Sequence, residues 1–201
     1  MRDQTLSSHF LHQFVDTIAN ELGQDNLSIV LEKAGLPSDW SDPERWESLT
    51  RTTPIEAYAG LQKAMRTYYG RGARGILIRV GGSFWKRLLE DAPLAVKAQS
   101  KLIFGLSLNA RRKAALEVLA RLIGDQRGDV TVHTLDLDLL LADKSSPTTL
   151  GQNESERICY VTLGLLRECL YWATNQEHDI EETSCRANGE EACEFKISIG
   201  G

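Results

Sequence analysis

The most informative stretch of the sequence is residues 181–197, which read EETSCRANGEEACEFKI. Its second half alternates apolar and polar side chains, with Cys193, Phe195 and Ile197 on one side, a pattern typical of a strand that buries one face. The Ala-Asn-Gly-Glu segment before it has the composition of a tight turn. Together with residues 178–186, the stretch therefore predicts a β-hairpin that carries one cysteine on each arm.

The four cysteines are concentrated in the last 43 residues, at positions 159, 169, 185 and 193. In a reducing compartment, such cysteines are more often metal ligands or buried thiols than disulfides. Cys185 and Cys193 lie on the two arms of the hairpin, and Cys159 lies on a predicted helix that must pack against it. These three thiols can converge as zinc ligands. Cys169 is ten positions further along the helix, and we expect it to be a core residue.

Zinc favours four donors, so the three thiols need a fourth ligand nearby. Glu182, three residues before Cys185, is our candidate, and His178 and Glu181 are the alternatives. In a regular strand, Glu182 and Cys185 would point to opposite faces, so shared ligation requires a bulge or bend between them. The competing interpretation is that the cysteines are buried thiols without a metal.

The sequence before residue 129 indicates helices, because its apolar residues recur at helical spacing. Residues 130–141 then alternate with a period of two, as in strands, with a shift of parity near Thr134 that suggests a bulge or a turn. Asn153 and Glu156 are predicted to cap a buried helix of about twenty residues that runs to Ala173. We expect one α+β domain over residues 1–201. Its predicted parts are a mainly helical part at 1–128, then the sheet, the buried helix and the hairpin at 129–201.

The expected helices and their connections are marked by caps and glycines. The segment GRGARG at residues 70–75 resembles a dinucleotide-binding loop, but a helix precedes it where that motif needs a strand. It is better interpreted as a connection between helices, although Arg71 and Arg74 could hold an anion. The further predicted helices are residues 10–22, 25–34, 53–69, 94–104 and 106–123, and Arg111, Arg112 and Lys113 are predicted to form a solvated face of the last one.

The charge of the chain limits its partners. Lys and Arg number 23 and Asp and Glu number 28, so the formal net charge is −5, which gives no long-range attraction to nucleic acid or anionic lipid. Apolar runs such as Ile158–Leu166 are far shorter than the roughly 20 residues of a membrane-spanning helix. No signal-peptide block is visible near Met1, so we expect a cytoplasmic protein without a membrane span.

The C-terminal motifs resemble a known family. Cys159 with the run GLLRECLYW at 164–172, then EETSCRANG at 181–189 and ACEFKI at 192–197, is similar to the 4-vinyl reductase domain. The resemblance covers about residues 155–199. This family is named for a bacteriochlorophyll-synthesis protein and also occurs in the sensor domains of bacterial aromatic-catabolism activators.

The resemblance implies an α+β fold related to subunits of the TRAPP vesicle-tethering particle and to haem-based nitric-oxide sensor domains. It also implies a homodimer and a cavity for a small hydrophobic molecule. In the aromatic-sensing members, zinc is held by a helix Cys, a Glu and two hairpin Cys, an order that Cys159, Glu182, Cys185 and Cys193 match. Four protein donors leave no open position, so the metal is expected to be structural.

We expect a non-catalytic zinc-stabilised protein that holds a small hydrophobic ligand, such as a tetrapyrrole or its precursor in chlorophyll synthesis or photosystem assembly. That ligand and pathway come from the resemblance. The alternatives are an enzyme or accessory factor in the reduction of a tetrapyrrole vinyl group, against which no redox-cofactor motif is found, and a ligand-free assembly scaffold that binds protein partners. Candidate ligand-lining residues, chosen as bulky or polar groups near the predicted pocket, are Phe84, Trp85, Phe104, His133, Tyr160 and Trp172.

Overall fold

The computed structural model describes residues 5–37, 40 and 53–199. Within this part of the chain, seven α-helices and one four-stranded sheet are present. The helices are α1 (Ser8–Leu22), α2 (Gln24–Lys33), α3 (Pro54–Tyr69), α4 (Ala73–Glu90), α5 (Leu94–Leu102), α6 (Leu108–Ile123) and α7 (Tyr160–Thr174). The strands are β1 (Val130–Leu135), β2 (Asp138–Asp143), β3 (Asp179–Ser184) and β4 (Cys193–Ser198). The predicted α+β class, helical first and with a small sheet at the end, is confirmed.

Local signals in the sequence set the ends of the helices. Helix α3 starts with the predicted capping box, in which Thr53 accepts from the Glu56 N–H and the Glu56 carboxylate accepts from the Thr53 N–H. It ends at Gly70, whose φ of +53° favours glycine. A single 3₁₀ turn then leads into α4. Residues 70–75 are therefore a connection between helices, as predicted.

The sheet is antiparallel throughout, in the order β1-β2-β4-β3. Strands β1 and β2 form a hairpin whose last pair is Leu135 and Asp138. Asp136 in the turn has a φ of +51°, a conformation that Asp tolerates better than most residues. This turn accounts for the shift of parity in the sequence. The predicted C-terminal hairpin is also present and places β4 in the interior of the sheet.

Helix α7 starts later than predicted. It begins at Tyr160, so Asn153 and Glu156 do not cap it, and Cys159 is its N-cap residue. The reason is that the preceding segment is bound to the C-terminal hairpin. The Glu154 N–H donates to the Ala187 carbonyl at 2.9 Å, and the Asn188 side chain donates to the Ser155 carbonyl at the same distance.

Helix α7 is largely buried, as predicted, and packs against α4, α6 and β3. Its approach to α4 is so close that the two backbones meet at Gly81 and Gly164. A Cβ on Gly164 would overlap the carbonyl oxygen of Ile78, and one on Gly81 would overlap that of Val161. Helix α4 runs unbroken through Gly81 and Gly82. Gly81 provides the contact surface for α7.

Two further predictions concern Arg112 and a membrane span. Arg112 is buried and not part of a solvated face, because its guanidinium donates to His178, Asn109 and Gln176. Among the described helices, none has the length and hydropathy that a membrane span requires.

The backbone contact between α4 and α7 makes a direct prediction. Gly164→Ala should lower the free energy of unfolding by about 2–3 kcal/mol, because the new methyl group forces the helices apart. The matched control is Gly82→Ala on α4, where a Cβ would meet its nearest neighbour at 3.9 Å. That change should be neutral or stabilising by up to about 1 kcal/mol, as expected for Gly→Ala in a helix. Urea denaturation measures both, and equal effects of the two variants would contradict the close contact.

Candidate metal centre and adjoining cleft

The structure brings Cys159, Glu182, Cys185 and Cys193 together at the junction of α7 with the C-terminal hairpin. One donor atom from each residue lies within 4.8 Å of all the others, and all four residues are buried. They come from three places in the fold: the N-cap of α7, strand β3 with the residue that follows it, and the first residue of β4. These are the four residues that the sequence analysis selected.

The sulfur atoms are spaced for a shared ion and not for a covalent bond. The Sγ of Cys159 lies 3.4 Å from that of Cys193 and 3.9 Å from that of Cys185, and all three cysteines are free. A disulfide needs about 2.05 Å. A tetrahedral zinc ion with bonds of about 2.3 Å holds its sulfur ligands about 3.8 Å apart. The observed spacing is therefore close to that of a zinc–thiolate site.

A bulge in β3 makes this arrangement possible. Glu182 pairs with Phe195, but Ser184 pairs with Glu194, so the register of β3 against β4 shifts between positions 182 and 184. The extra residue changes the alternation of side chains. As a result, Glu182 and Cys185 both reach the cluster, as shared ligation requires.

Backbone amides surround the cluster with hydrogen-bond donors. The Cys159 N–H donates to Oε2 of Glu182 at 3.1 Å, and the Arg186 N–H donates to Sγ of Cys193 at 3.4 Å. The hydroxyl of Ser146 lies 3.7 Å from Sγ of Cys159. Because Cys159 is the N-cap of α7, the positive end of the helix dipole also faces the cluster. These donors therefore offset part of the cost of burying negative charge on the sulfur and carboxylate atoms.

The protonation of the cluster depends on its close contacts. Burial raises the pKa of Glu182 to about 8, and its Oε1 atom is buried without a hydrogen-bond partner. Hydrogen bonds with the Cys159 and Cys193 thiols lower the pKa of Cys185. Hydrogen bonds with the Cys185 and Cys193 thiols raise the pKa of Cys159. Crowded anionic groups and an unpaired buried oxygen fit a site that a divalent cation completes.

The other predicted candidates lie elsewhere. Cys169 is buried in the core, where its thiol contacts the Ala115 carbonyl at 3.3 Å. Glu181 is exposed and pairs with Arg157 at 3.0 Å. The Nε2 atom of His178 accepts a hydrogen bond from Arg112 at 2.9 Å. Of the three proposed fourth donors, only Glu182 faces the thiols.

A surface cleft adjoins the cluster. One part of it has a volume of about 520 Å³ and lies between α3, the start of α4 and the segment before α7. A second part of about 730 Å³ extends past β3 and is lined by Glu182. Both parts share Arg74, Ser155, Glu156 and Tyr160. Glu182 of the cluster therefore borders the same cleft as Tyr160 and Arg74.

The lining of this cleft combines basic with acidic side chains, and the acidic ones include Glu154, Glu156, Asp179 and Glu181. Lys63, Arg66 and Arg71 line the first part, and Leu163 and Ile180 line the second. The sequence had marked Arg71 and Arg74, through the glycine-rich segment, as residues able to hold an anion. It gave no signal for Lys63 and Arg66, because they follow the ordinary pattern of a helix surface.

The six predicted ligand-lining residues are not brought to one place. Phe84 and Trp85 are fully buried in the core, where Phe84 packs on Phe10 with ring centroids 4.9 Å apart. Trp85, Trp172 and Phe104 form a chain of edge-on aromatic contacts at 5.6 and 5.1 Å. His133 is exposed on β1, next to Thr131. Tyr160 lines the cleft.

Comparison with known proteins supports the motifs and the fold. The family model of the 4-vinyl reductase domain matches residues 144–199, the segment that contains the whole cysteine and glutamate cluster. No curated protein matches the chain.

Solved structures that resemble this chain include H-NOX proteins. An H-NOX protein from S. oneidensis in the Fe(II)NO ligation state is 12% identical, with a TM-score of 0.60, and the match covers 98% of this chain and 100% of that one. A mutant H-NOX of T. tengcongensis is 15% identical, with a TM-score of 0.59 and 98% of each chain covered. The unliganded Fe(II) H-NOX protein of K. algicida is 15% identical, with a TM-score of 0.57 and 96% and 95% covered. At these identities, the likeness shows the fold alone. The chain therefore has the α+β fold of H-NOX domains, and its residues 144–199 match the model of the 4-vinyl reductase domain.

Proposed function

We propose that this chain is a non-catalytic binding or sensor protein, stabilised by zinc, that holds a small hydrophobic ligand. The observation that carries the proposal is the buried cluster of three thiols and one carboxylate, with donor atoms within 4.8 Å of one another. It lies beside a cleft lined by both basic and acidic side chains. The match to the 4-vinyl reductase domain and the H-NOX-like fold support a ligand-binding role.

The donor set favours zinc. Three thiolates and one carboxylate suit a borderline-soft ion that takes four ligands at tetrahedral angles. With all four positions supplied by Cys159, Glu182, Cys185 and Cys193, the ion would crosslink α7 to the hairpin and would be structural. The amides of Cys159 and Arg186 would offset part of the negative charge that remains.

One prediction concerns metal content. Purified protein should contain about one zinc ion per chain, and Cys185→Ser or Cys193→Ser should remove most of it, because three donors hold zinc far more weakly than four. Glu182→Gln should also lower the zinc content, whereas Glu181→Gln and His178→Gln should not. Elemental analysis of the purified variants measures this.

Cys169→Ser is the matched cysteine control, since Cys169 is buried but contacts a core carbonyl instead of the cluster. It should keep its zinc. Absence of metal from the wild-type protein would refute the site. Loss of zinc on changing Glu181 or His178, but not Glu182, would assign the fourth ligand differently.

A second prediction concerns what the ion stabilises. Removal of zinc with a chelator should expose the amides of residues 155–159 and 179–198 to hydrogen exchange, because the crosslink between α7 and the hairpin is lost. Helices α1 to α3 should exchange as before. The Cys185→Ser protein should be insensitive to the chelator. Uniform loss of protection along the whole chain would show that the metal supports global stability and not this junction.

For the ligand, we propose a tetrapyrrole or its precursor, bound in the cleft. Such molecules join a flat apolar ring to carboxylates. The cleft offers the half-buried Tyr160 to the ring and the exposed Arg74 to the carboxylates. A place in chlorophyll synthesis or photosystem assembly follows from the family name alone and is part of the proposal.

The histidines do not fit an axial ligand of haem. His9 and His133 are exposed, and His12 lies 3.7 Å from the Asp16 carboxylate. His178 accepts a hydrogen bond from Arg112. Because each described histidine is either exposed or engaged by a neighbouring side chain, we propose binding through the periphery of the ring and not through a histidine–iron bond.

A third prediction concerns this binding. Protoporphyrin added to the zinc-loaded protein should quench its tryptophan fluorescence, and Arg74→Glu should weaken the binding at least about tenfold by reversing a charge in the cleft. The control is Arg79→Glu on the same helix, outside the cleft, where Arg79 pairs with Glu21 at 3.1 Å. It should bind as the wild type does. Failure of protoporphyrin to bind, or equal losses in both variants, would refute the tetrapyrrole version.

We also propose, on the resemblance to the family, that the protein is a cytoplasmic homodimer. An assembly scaffold without a ligand is the alternative that protein partners would reveal. A colourless protein that contains zinc, ignores porphyrins and copurifies with a partner would favour that scaffold.

A further inference from the structure

Helix α5 carries large apolar side chains on the side that faces solvent. Val96, Ser100 and Ile103 pack inward at helical spacing. Leu94 and Leu102, on the opposite side, are 85% and 75% exposed. The outward side of a surface helix is normally polar. The outward side of α5 is therefore unpartnered within the described structure.

The turn after α5 continues the same surface. Phe104, Leu106 and Leu108 are all exposed, the first of them at 46%. The turn is held in place by Arg111, whose guanidinium donates to the carbonyls of Phe104 and Leu106 at 2.8 and 3.1 Å. The Phe104 ring also rests against Trp172. The exposed apolar side chains therefore lie on a turn whose conformation is fixed by these contacts.

The charge of this region opposes that of the whole protein. Residues 92–116 contain five basic residues and no Asp or Glu, in a chain whose net charge is −5. Lys97 and Lys101 lie on α5 beside the exposed leucines, and Lys113 is on α6. The nearest acidic residues in sequence are Glu90 and Asp91 before the segment and Glu117 after it. The rest of the chain therefore carries a net charge of −10.

We infer that this surface docks on an anionic lipid bilayer. We call it the docking face: Leu94, Leu102, Phe104, Leu106 and Leu108, with Lys97, Lys101 and Lys113. Interfacial protein segments combine apolar side chains that enter the acyl boundary with Lys and Arg that meet the lipid headgroups. The docking face has both, and it belongs to a protein without a described membrane-spanning helix.

Other occupants fit this surface less well. A second copy would set Lys97, Lys101 and Lys113 against the same three lysines, which is repulsive. Nucleic acid would match the charge, but it would leave the leucines of α5 in water, because phosphate contacts are polar. A bilayer satisfies the charges and the apolar side chains together.

The experiment is sedimentation of the full chain with vesicles. The protein should sediment with vesicles of phosphatidylcholine that contain about 30% phosphatidylglycerol, and not with phosphatidylcholine alone. Raising the salt from about 0.1 to about 0.5 M should weaken the binding, since it screens the charges. Failure to sediment with the anionic vesicles at low salt would overturn the inference.

Two pairs of variants locate the binding. Leu94→Ser with Leu102→Ser, and separately Lys97→Glu with Lys101→Glu, should each weaken it about tenfold or more. The matched controls are Leu135→Ser with Leu137→Ser at the β1–β2 hairpin, and Lys33→Glu with Lys86→Glu, all of them exposed positions. These should sediment as the wild type does. Since Leu94 and Leu102 face solvent, their replacement should leave the thermal midpoint unchanged.

Three outcomes would overturn this assignment, and two of them would identify another occupant. If the leucine variant sediments normally, apolar insertion is excluded. If that variant converts a dimer to a monomer in analytical ultracentrifugation, the face belongs to a second copy. If a labelled DNA duplex binds the wild type and only the lysine variant loses it, the face binds nucleic acid.

Discussion

Helices α4 and α7 meet at Gly81 and Gly164, where neither backbone leaves room for a Cβ atom. This contact sets the depth at which α7, with the residue at its start, lies in the core. At that start, the N-cap residue Cys159 meets the C-terminal hairpin. The cluster and the cleft beside it thus depend on two glycines that contribute no side chain to either.

The hairpin and most helices were predictable from the sequence because their signals are local. The capping box at Thr53 and the alternation from Cys193 onward depend only on neighbouring residues. The start of α7 was not predictable in this way, since Glu154 and Ser155 are held by Ala187 and Asn188 of the distant hairpin. Because these hydrogen bonds to distant residues fix the backbone before α7, Asn153 and Glu156 do not cap the helix, although their residue types suit a capping pair.

The candidate site also contains residues that the sequence predicts and residues that it does not. The four cluster residues were selectable because few side-chain types bind metals and because a hairpin brings its two arms together. The ligand-lining residues were chosen largely by size, and size does not distinguish a pocket from a core. Phe84 and Trp85 fill the interior, while Tyr160 borders the cleft beside Arg74, a residue far away in sequence. Arg112 was predicted to be solvated because its partners His178 and Gln176 are far from it along the chain.

The cluster also bears on the order in which the chain can fold. Its four residues span positions 159–193, so a short loop closes it, whereas the contact of Gly81 with Gly164 joins residues 83 positions apart. Short loops cost less chain entropy to close than long ones, and contacts of low sequence separation form earlier. Closing the cluster therefore costs less chain entropy than docking the two glycine surfaces.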